Sequence, residues 1–325
     1  MKDLRRRFLA GLAFGFVVLL ALTFLGDARR VAQHLAGFAW PLILPALGCT
    51  LANYALRFLK WHFYLGQIGA GELPWRESLR LFIGGFPLAM TPGKIGEVLK
   101  AVWLNQRTCA PVLRGTAVVL AERISDGLAV LALSALGVVA YPRYAPAFGV
   151  ALAALVAIVA MSQVRPIALG VLEAAGRFER LRRFTAGLRE LYEGSYAVFR
   201  PRATLVAVAL GTVSWLGEGI GFYLILLGLG VPAGWETAGK AIFILSFATV
   251  VGAASTLPGG LGAAEGTIAG MLTAVLSLPV STAAAATLLI RFATLWFGVA
   301  LGLIVWARWP QLISLADTHS VRDSA

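Results

Sequence analysis

The sequence predicts an all-α polytopic membrane protein, with about six full transmembrane helices and two oppositely oriented re-entrant helical hairpins forming an inverted repeat. Three observations lead there. Hydrophobic residues fill 59% of the 325 positions and charged residues only 14%, more apolar surface than a soluble core of this size buries. The apolar runs are continuous rather than alternating, which argues against a β-barrel. Two of the runs are interrupted by Pro-Gly, at Pro92-Gly93 and Pro258-Gly259, where bare hydrocarbon would leave backbone groups unsatisfied.

The elements follow in chain order. The apolar run from Phe8 to Leu25 covers 18 residues after the basic start MKDLRRR. It is longer than a signal-peptide core and has no clear A-x-A site, so it reads as a retained first span. Runs near 38–59, 115–140, 145–163, 203–229 and 281–306 are each long enough for a ~30 Å hydrocarbon core. Blocks 79–106 and 240–275 differ, because the Pro-Gly breaks divide them into shorter halves. At about 1.5 Å per residue the shorter halves reach only part of the way across. Residues 1–325 therefore read as one integral membrane domain, with a first repeat near 79–140, a connector at 164–202 and a second repeat near 240–306.

Lysine and arginine set the orientation. If the N-terminus is cytoplasmic and both broken blocks re-enter, twenty-two basic residues fall inside, among them Arg57, Lys60, Lys94 and Lys100. Four fall outside (Arg29, Arg30, Arg143 and Lys240), and Arg123 and Arg291 lie within spans. The expected location is a bacterial inner (cytoplasmic) membrane, multi-pass, with both termini cytoplasmic. In the connector, Leu181, Phe184, Leu188 and Leu191 recur at helical spacing with Arg182, Arg183 and Arg189 on other faces. That pattern fits a helix on the anionic inner leaflet, and equally a solvated charged connector.

The net charge of +12 does not indicate nucleic acid, since the charges lie between spans rather than on a soluble face. Cys49 and Cys109 read as small apolar fillers. His34, His62 and His319 lack metal-ligand spacing and read as interfacial or exposed. No Walker loop, G-x-S-x-G or carboxylate-rich metal motif occurs, so no cofactor, metal or catalytic set is expected. The nine tryptophans mostly fall near span ends, as an aromatic belt does.

TPGKIGEVLKAVW (91–103) and LPGGLGAAEGTIA (257–269) both carry Pro-Gly-x-aliphatic-Gly followed by a glutamate, Glu97 in one and Glu265 in the other. Each block precedes a span with an embedded arginine, Arg123 or Arg291, and each glutamate lies 26 positions before its arginine. Paired broken helices of opposite orientation mark the inverted repeats of many secondary transporters, with substrate bound where the breaks meet. Freed helix ends there present amide groups to anions.

Ionisable residues at mid-membrane cost about 2.5–3.5 kcal/mol on insertion scales. Glu122, Arg123, Asp126, Glu218 and Arg291 fall at such depths, and Glu97 and Glu265 just after the breaks. Glu97–Arg123 and Glu265–Arg291 either line a path or pair only to hold helices together. Glu122 and Asp126 share a helix face at i, i+4 and could ligate a cation or relay protons. Lys94 either meets a phosphate headgroup or snorkels to the inner surface.

The runs TPGKIGEVLKAVWL, AERISDG, LPGGLGAAEG and RFATLWFG, in that order, resemble the lysylphosphatidylglycerol synthase transmembrane region family, over nearly the whole chain. The family's membrane region is associated with moving lipids between leaflets, and it includes hopanoid-associated members. In its fused enzymes a C-terminal soluble domain aminoacylates phosphatidylglycerol. The sequence ends at Ala325 soon after its last span, so the synthase activity does not carry over. The resemblance implies a stand-alone lipid translocase, with Pro92, Gly93, Gly96, Glu97, Glu122, Arg123, Asp126, Pro258, Gly259, Gly262, Glu265 and Arg291 at its motif positions. Lys94 and Glu218 complete the candidate binding set. The expected partners are membrane lipids (a phospholipid, hopanoid or polyprenyl-linked lipid) and possible lipid-biosynthesis enzymes. Three alternatives stay open: a membrane-embedded transferase acting on a lipid-linked sugar or phosphate, a non-catalytic scaffold for a lipid-synthesis enzyme, and a small-solute or ion carrier, since inverted repeats do not specify cargo.

Overall fold

The structure is a computed structural model, and it describes residues 2–91, 96–140, 145–176 and 179–312. It is all-helical among the described residues, as the continuous apolar runs require. Helix α1 (Lys2–Leu25) meets α2 (Ala28–Ala36) at a 95° bend. Asp27 makes that corner with a left-handed φ of 63°, and its side chain accepts a hydrogen bond from the Arg29 N–H, capping α2.

A 3₁₀ turn (Trp40–Leu42) leads into α3 (Ile43–Gln67), and together they form a 28-residue apolar span. This corrects the expected boundary near 59. The helix runs on through Arg57 and Lys60, and Lys60 is fully buried. Charge had marked those residues as loop, but a buried lysine with a counter-ion continues a helix without penalty to its backbone.

The first broken block is α4 (Trp75–Gly84), a 3₁₀ turn (Phe86–Met90) and α5 (Leu99–Thr108). Its arms have 10 residues each, or about 15 Å, half of a hydrocarbon core. Then come α6 (Val112–Ala140), α7 (Ala145–Gln163), α8 (Arg165–Gly176) and α9 (Glu179–Val198). In the connector, α9 is not free of the protein. It packs on α6, with Arg114 Nη2 2.5 Å from Glu190 Oε2, and Val198 and Phe199 are buried at its end. Leu188 and Arg189 are exposed. The side chains of Leu181, Arg182, Arg183 and Phe184 lie outside the described residues, as do all of Arg143 and His319.

Helix α10 (Pro201–Gly228) packs along α3. The two are clasped by Asn53, whose Nδ2 donates to the Ser214 carbonyl at 3.0 Å, while Ser214 Oγ donates to the Asn53 carbonyl at 3.3 Å. The second broken block is α11 (Trp235–Ala254), a 3₁₀ turn (Pro258–Gly260) and α12 (Ala263–Leu276). Its arms are longer than the first block's. Trp235–Ala254 and Pro258–Leu276 span 20 and 19 residues, each enough by length and apolarity to cross.

The last span, Val280–Arg308, comprises α13 (Val280–Arg291), a π-helical turn (Phe292–Trp296) and α14 (Phe297–Arg308). On α13 the run Ala283–Ala286 is buried. Small side chains of this kind let helices approach closely in lipid, where packing rather than hydrophobicity drives association.

Thus the order helix, 3₁₀ turn, helix, following helix occurs twice, as α4–α6 and as α11–α13. The Pro-Gly and Glu-Arg spacing falls at matching places in the two series.

Candidate functional site

The two broken blocks meet. The 3₁₀ turn ending at Met90 touches the one at Pro258–Gly260, and Met90, Leu261 and Val299 form a small buried cluster. Gly259, Gly260 and Gly262 have φ of 60°, 67° and 84°, a left-handed run that glycine alone adopts at no steric cost. At Gly260 a Cβ would lie 3.1 Å from the Gly252 Cα, so glycine is also what lets the turn close onto α11. Pro92, Gly93 and Lys94 lie outside the described residues.

Beside the meeting point is a cavity of about 180 Å³, room for several waters or a headgroup-sized ligand. Both broken blocks line it, through Phe86 and Glu97 on one side and Gly252 and Gly259 on the other, and α3, α6, α10 and the π-helical turn complete it. Of the predicted set, Glu97, Arg123, Glu218, Gly259 and Arg291 line the cavity. Gly96, Glu122, Asp126, Gly262 and Glu265 do not line it but are bonded to residues around it, and Pro258 begins the second 3₁₀ turn.

Each broken block fixes its glutamate in the same way. Glu97 follows the first break and pairs with Arg123 on α6, Nε to Oε2, at 3.0 Å. Nearby, the Gly96 N–H donates to Thr91 Oγ1 at 2.9 Å, and that hydroxyl donates to the Leu88 carbonyl at 2.6 Å, stapling the turn. Glu265 follows the second break, and its Oε2 accepts the Gly262 N–H at 2.7 Å. Its Oε1 accepts from Arg291 Nε at 2.6 Å, while Arg291 Nη2 donates to the Gly259 carbonyl at 2.9 Å. Arg291 therefore ties the helix that follows the second hairpin to the hairpin's tip. Arg123 is the more open of the two arginines, with its side chain 32% exposed against 13% for Arg291.

Glu122 and Asp126 do not form a vacant carboxylate pair. Lys100 Nζ on α5 donates to Glu122 Oε2 at 2.6 Å and sits 4.1 Å from the centre of the Trp61 ring, a cation–π contact. Lys60 donates to Asp126 Oδ1, and Arg57 Nη2 lies 3.2 Å from Asp126 Oδ2. Arg57, Lys60 and Lys100, three of the twenty-two basic residues assigned to the inside, are thus internal counter-ions. The sequence reading missed them as site residues because no repeated spacing marks these pairs, and locally they look like basic residues at a cytoplasmic loop.

Tyr54 on α3 also lines the cavity and donates to the Thr294 carbonyl at 2.5 Å. That carbonyl belongs to the π-helical turn just after Arg291, where the altered hydrogen-bond register frees backbone for such a partner. His34 Nε2 lies 3.2 Å from both Ser281 Oγ and Thr282 Oγ1, and His62 Nδ1 lies 3.0 Å from Ser78 Oγ. Among the described residues no group of three His, Cys, Asp or Glu gathers as a metal site, and Cys49 and Cys109 are not bonded to each other.

Comparisons with known proteins agree on one family. The chain is 28% identical over 323 residues to a UPF0104 membrane protein of the archaeon Methanothermobacter thermautotrophicus, covering 90% of each chain. No solved structure matches. The family model described as the lysylphosphatidylglycerol synthase TM region matches residues 8–302, a range that holds both breaks, both Glu-Arg pairs and Glu218, and the chain therefore belongs to that family.

Proposed function

We propose that the chain is a lipid translocase, moving a polar-headed or lipid-linked substrate between leaflets of the cell membrane without altering it chemically. The observation that carries this reading is the meeting of two broken helices at one charged cavity. Backbone left without helical partners and charges at membrane depth are tolerated where they face protein or water rather than acyl chains. A headgroup would enter the cavity while its apolar tails stay in lipid. Arg123 and Arg291 would receive phosphate, Glu97 and Glu265 would hold those arginines, and relative motion of the two repeats would expose the cavity to each leaflet in turn. Opposite orientation of the repeats, cytoplasmic termini and a bacterial inner-membrane location belong to this proposal.

The test is movement of fluorescent phospholipids in proteoliposomes, with mass spectrometry of the recovered lipid. Transport of chemically unchanged lipid, cut at least tenfold in folded Glu97→Ala and Arg291→Ala variants, is the expected result. Full activity in both variants would remove the cavity from the mechanism. A chemically altered lipid would replace translocation by a transferase.

A further inference from the structure

Glu218 is the exception in an otherwise paired cavity. Among the described residues that line or back it are five cations (Arg57, Lys60, Lys100, Arg123 and Arg291) and five carboxylates (Glu97, Glu122, Asp126, Glu218 and Glu265). Four of the carboxylates have a cation within ion-pair distance. Glu218 is 5% exposed, lines the cavity and makes no hydrogen bond or ion pair with a described residue. Asp126 instead takes two cations, Lys60 and Arg57, so among the described residues Arg57 shares the one carboxylate within ion-pair distance of it.

One turn before Glu218 on α10, Trp215 also lines the cavity, with the Arg57 guanidinium 5.7 Å from the centre of its ring. Among the described residues Trp215 Nε1 and Arg57 Nε are buried without a hydrogen-bond partner, closed off from the cavity space as well. What Arg57 offers an anion is therefore its guanidinium charge at the cavity wall, only half neutralised by a carboxylate that it shares with Lys60.

We infer that a proton on Glu218 and an anionic phosphodiester headgroup held in the cavity by Arg57 together with Arg123 and Arg291 bind together, so that lipid movement is coupled to protons. This rests on the translocase reading and names its substrate class and energy source. The charge count of the described residues supports the coupling. With Glu218 ionised the described cavity is neutral, and a phosphodiester would bring a net negative charge to membrane depth, where it is costly. With Glu218 protonated the cavity carries one positive charge, which one phosphodiester cancels. Each ligand therefore raises the affinity for the other by the same factor.

The groups facing Glu218 are Tyr54 and Arg57 on α3, Asp126 on α6 and Arg291 on α13. From α11 the cavity receives only uncharged side chains, among them Leu245, Ala248 and Thr249. A lone carboxylate offers a metal ion too few oxygens, since hard cations take six or more. The coupled ion is a proton.

The experiment titrates the purified chain, in nanodiscs of zwitterionic lipid and weak buffer, with dihexanoyl phosphatidylglycerol, reading proton uptake and affinity across pH. The wild type is expected to take up about one proton per lipid bound, and one linked proton weakens binding by up to about tenfold per pH unit on the alkaline side. Glu218→Gln, permanently neutral, is expected to bind with no proton uptake and a flat pH profile. Dihexanoyl phosphatidylcholine should take up no proton. Uncoupled binding by the wild type, equal uptake by the variant, or no binding at all overturns the inference. Proton-linked binding without movement in proteoliposomes would instead sink translocation and leave this site standing.

Discussion

Arg291 and Glu265, 26 residues apart in sequence, meet Nε to Oε1 at 2.6 Å, and the same carboxylate caps the Gly262 N–H through its other oxygen. One glutamate thus holds both the turn after the second break and the arginine that reaches back to the Gly259 carbonyl. Its side chain is 1% exposed. Glu265→Ala leaves a buried guanidinium without its counter-ion and is expected to cost about 3–5 kcal/mol. Thermal unfolding of the detergent-solubilised protein reads this. The double variant with Arg291→Ala should lose clearly less than the sum of the two single losses. Additive losses would mean that the pair does not act as a unit.

The lysines of the other pairs should differ in their effects. Lys100→Met strands Glu122, which is 0% exposed and has Lys100 as its ion-pair partner, at a cost of about 3–5 kcal/mol. Lys60→Met leaves Asp126 with Arg57 at 3.2 Å and should cost markedly less. Unfolding midpoints of the two variants settle the order, and adding Glu122→Gln should recover part of the Lys100→Met loss. A larger loss for Lys60→Met would reverse the assignment of Arg57 as a second counter-ion.

Tyr54 ties α3 to the π-helical turn by a single hydrogen bond to the Thr294 carbonyl. Tyr54→Phe is expected to cost about 1 kcal/mol, the usual net worth of such a bond. Gly298→Ala attacks the same junction from the other side, because its Cβ would come within 2.6 Å of Tyr54 Oη. Displacing the tyrosine should bring a loss at least as large, and the two substitutions together should add little to either alone. An unfolding series of the three variants checks this, and independent losses would separate the bond from the packing.

What the sequence disclosed depended on whether a pattern recurs along the chain, not on how far apart the partners lie. Glu97–Arg123 and Glu265–Arg291 were legible because one local pattern, Pro-Gly-x-aliphatic-Gly, then a glutamate, then an arginine 26 positions after it, occurs twice in the sequence. The apolar runs placed most spans to within a few residues, since hydrocarbon thickness sets their length. The partners of Asp126 and Glu122 were not legible. Arg57, Lys60 and Lys100 carry the same local signal as basic residues at a cytoplasmic loop, and only the packing of α3 and α5 against α6 turns them inward. The 95° corner was not read from the sequence either: Gly26 and Asp27 mark a break there, but the direction comes from the left-handed Asp27 and from the packing of α2. The second hairpin's arms came out longer than the Pro-Gly break suggested, because α11 begins at Trp235, ahead of the predicted block.

The Glu97–Arg123 pair offers a way to separate bracing from transport. Its cation stands on α6 and its carboxylate just after the first break, and both line the cavity. Exchanging them, as Glu97→Arg with Arg123→Glu, keeps one attractive pair at the same place while moving the positive end from the helix to the hairpin. Stability should return to within about 1 kcal/mol of the wild type, because the pair's desolvation and attraction are nearly preserved, whereas each single substitution should fall well below it. Lipid movement should stay at background in the exchanged protein, since a phosphate received by Arg123 would then face a carboxylate. Thermal unfolding and proteoliposome assays on the same preparation give both readings. Recovery of transport together with stability would reduce the pair to a brace and shift the phosphate contact to Arg57 and Arg291.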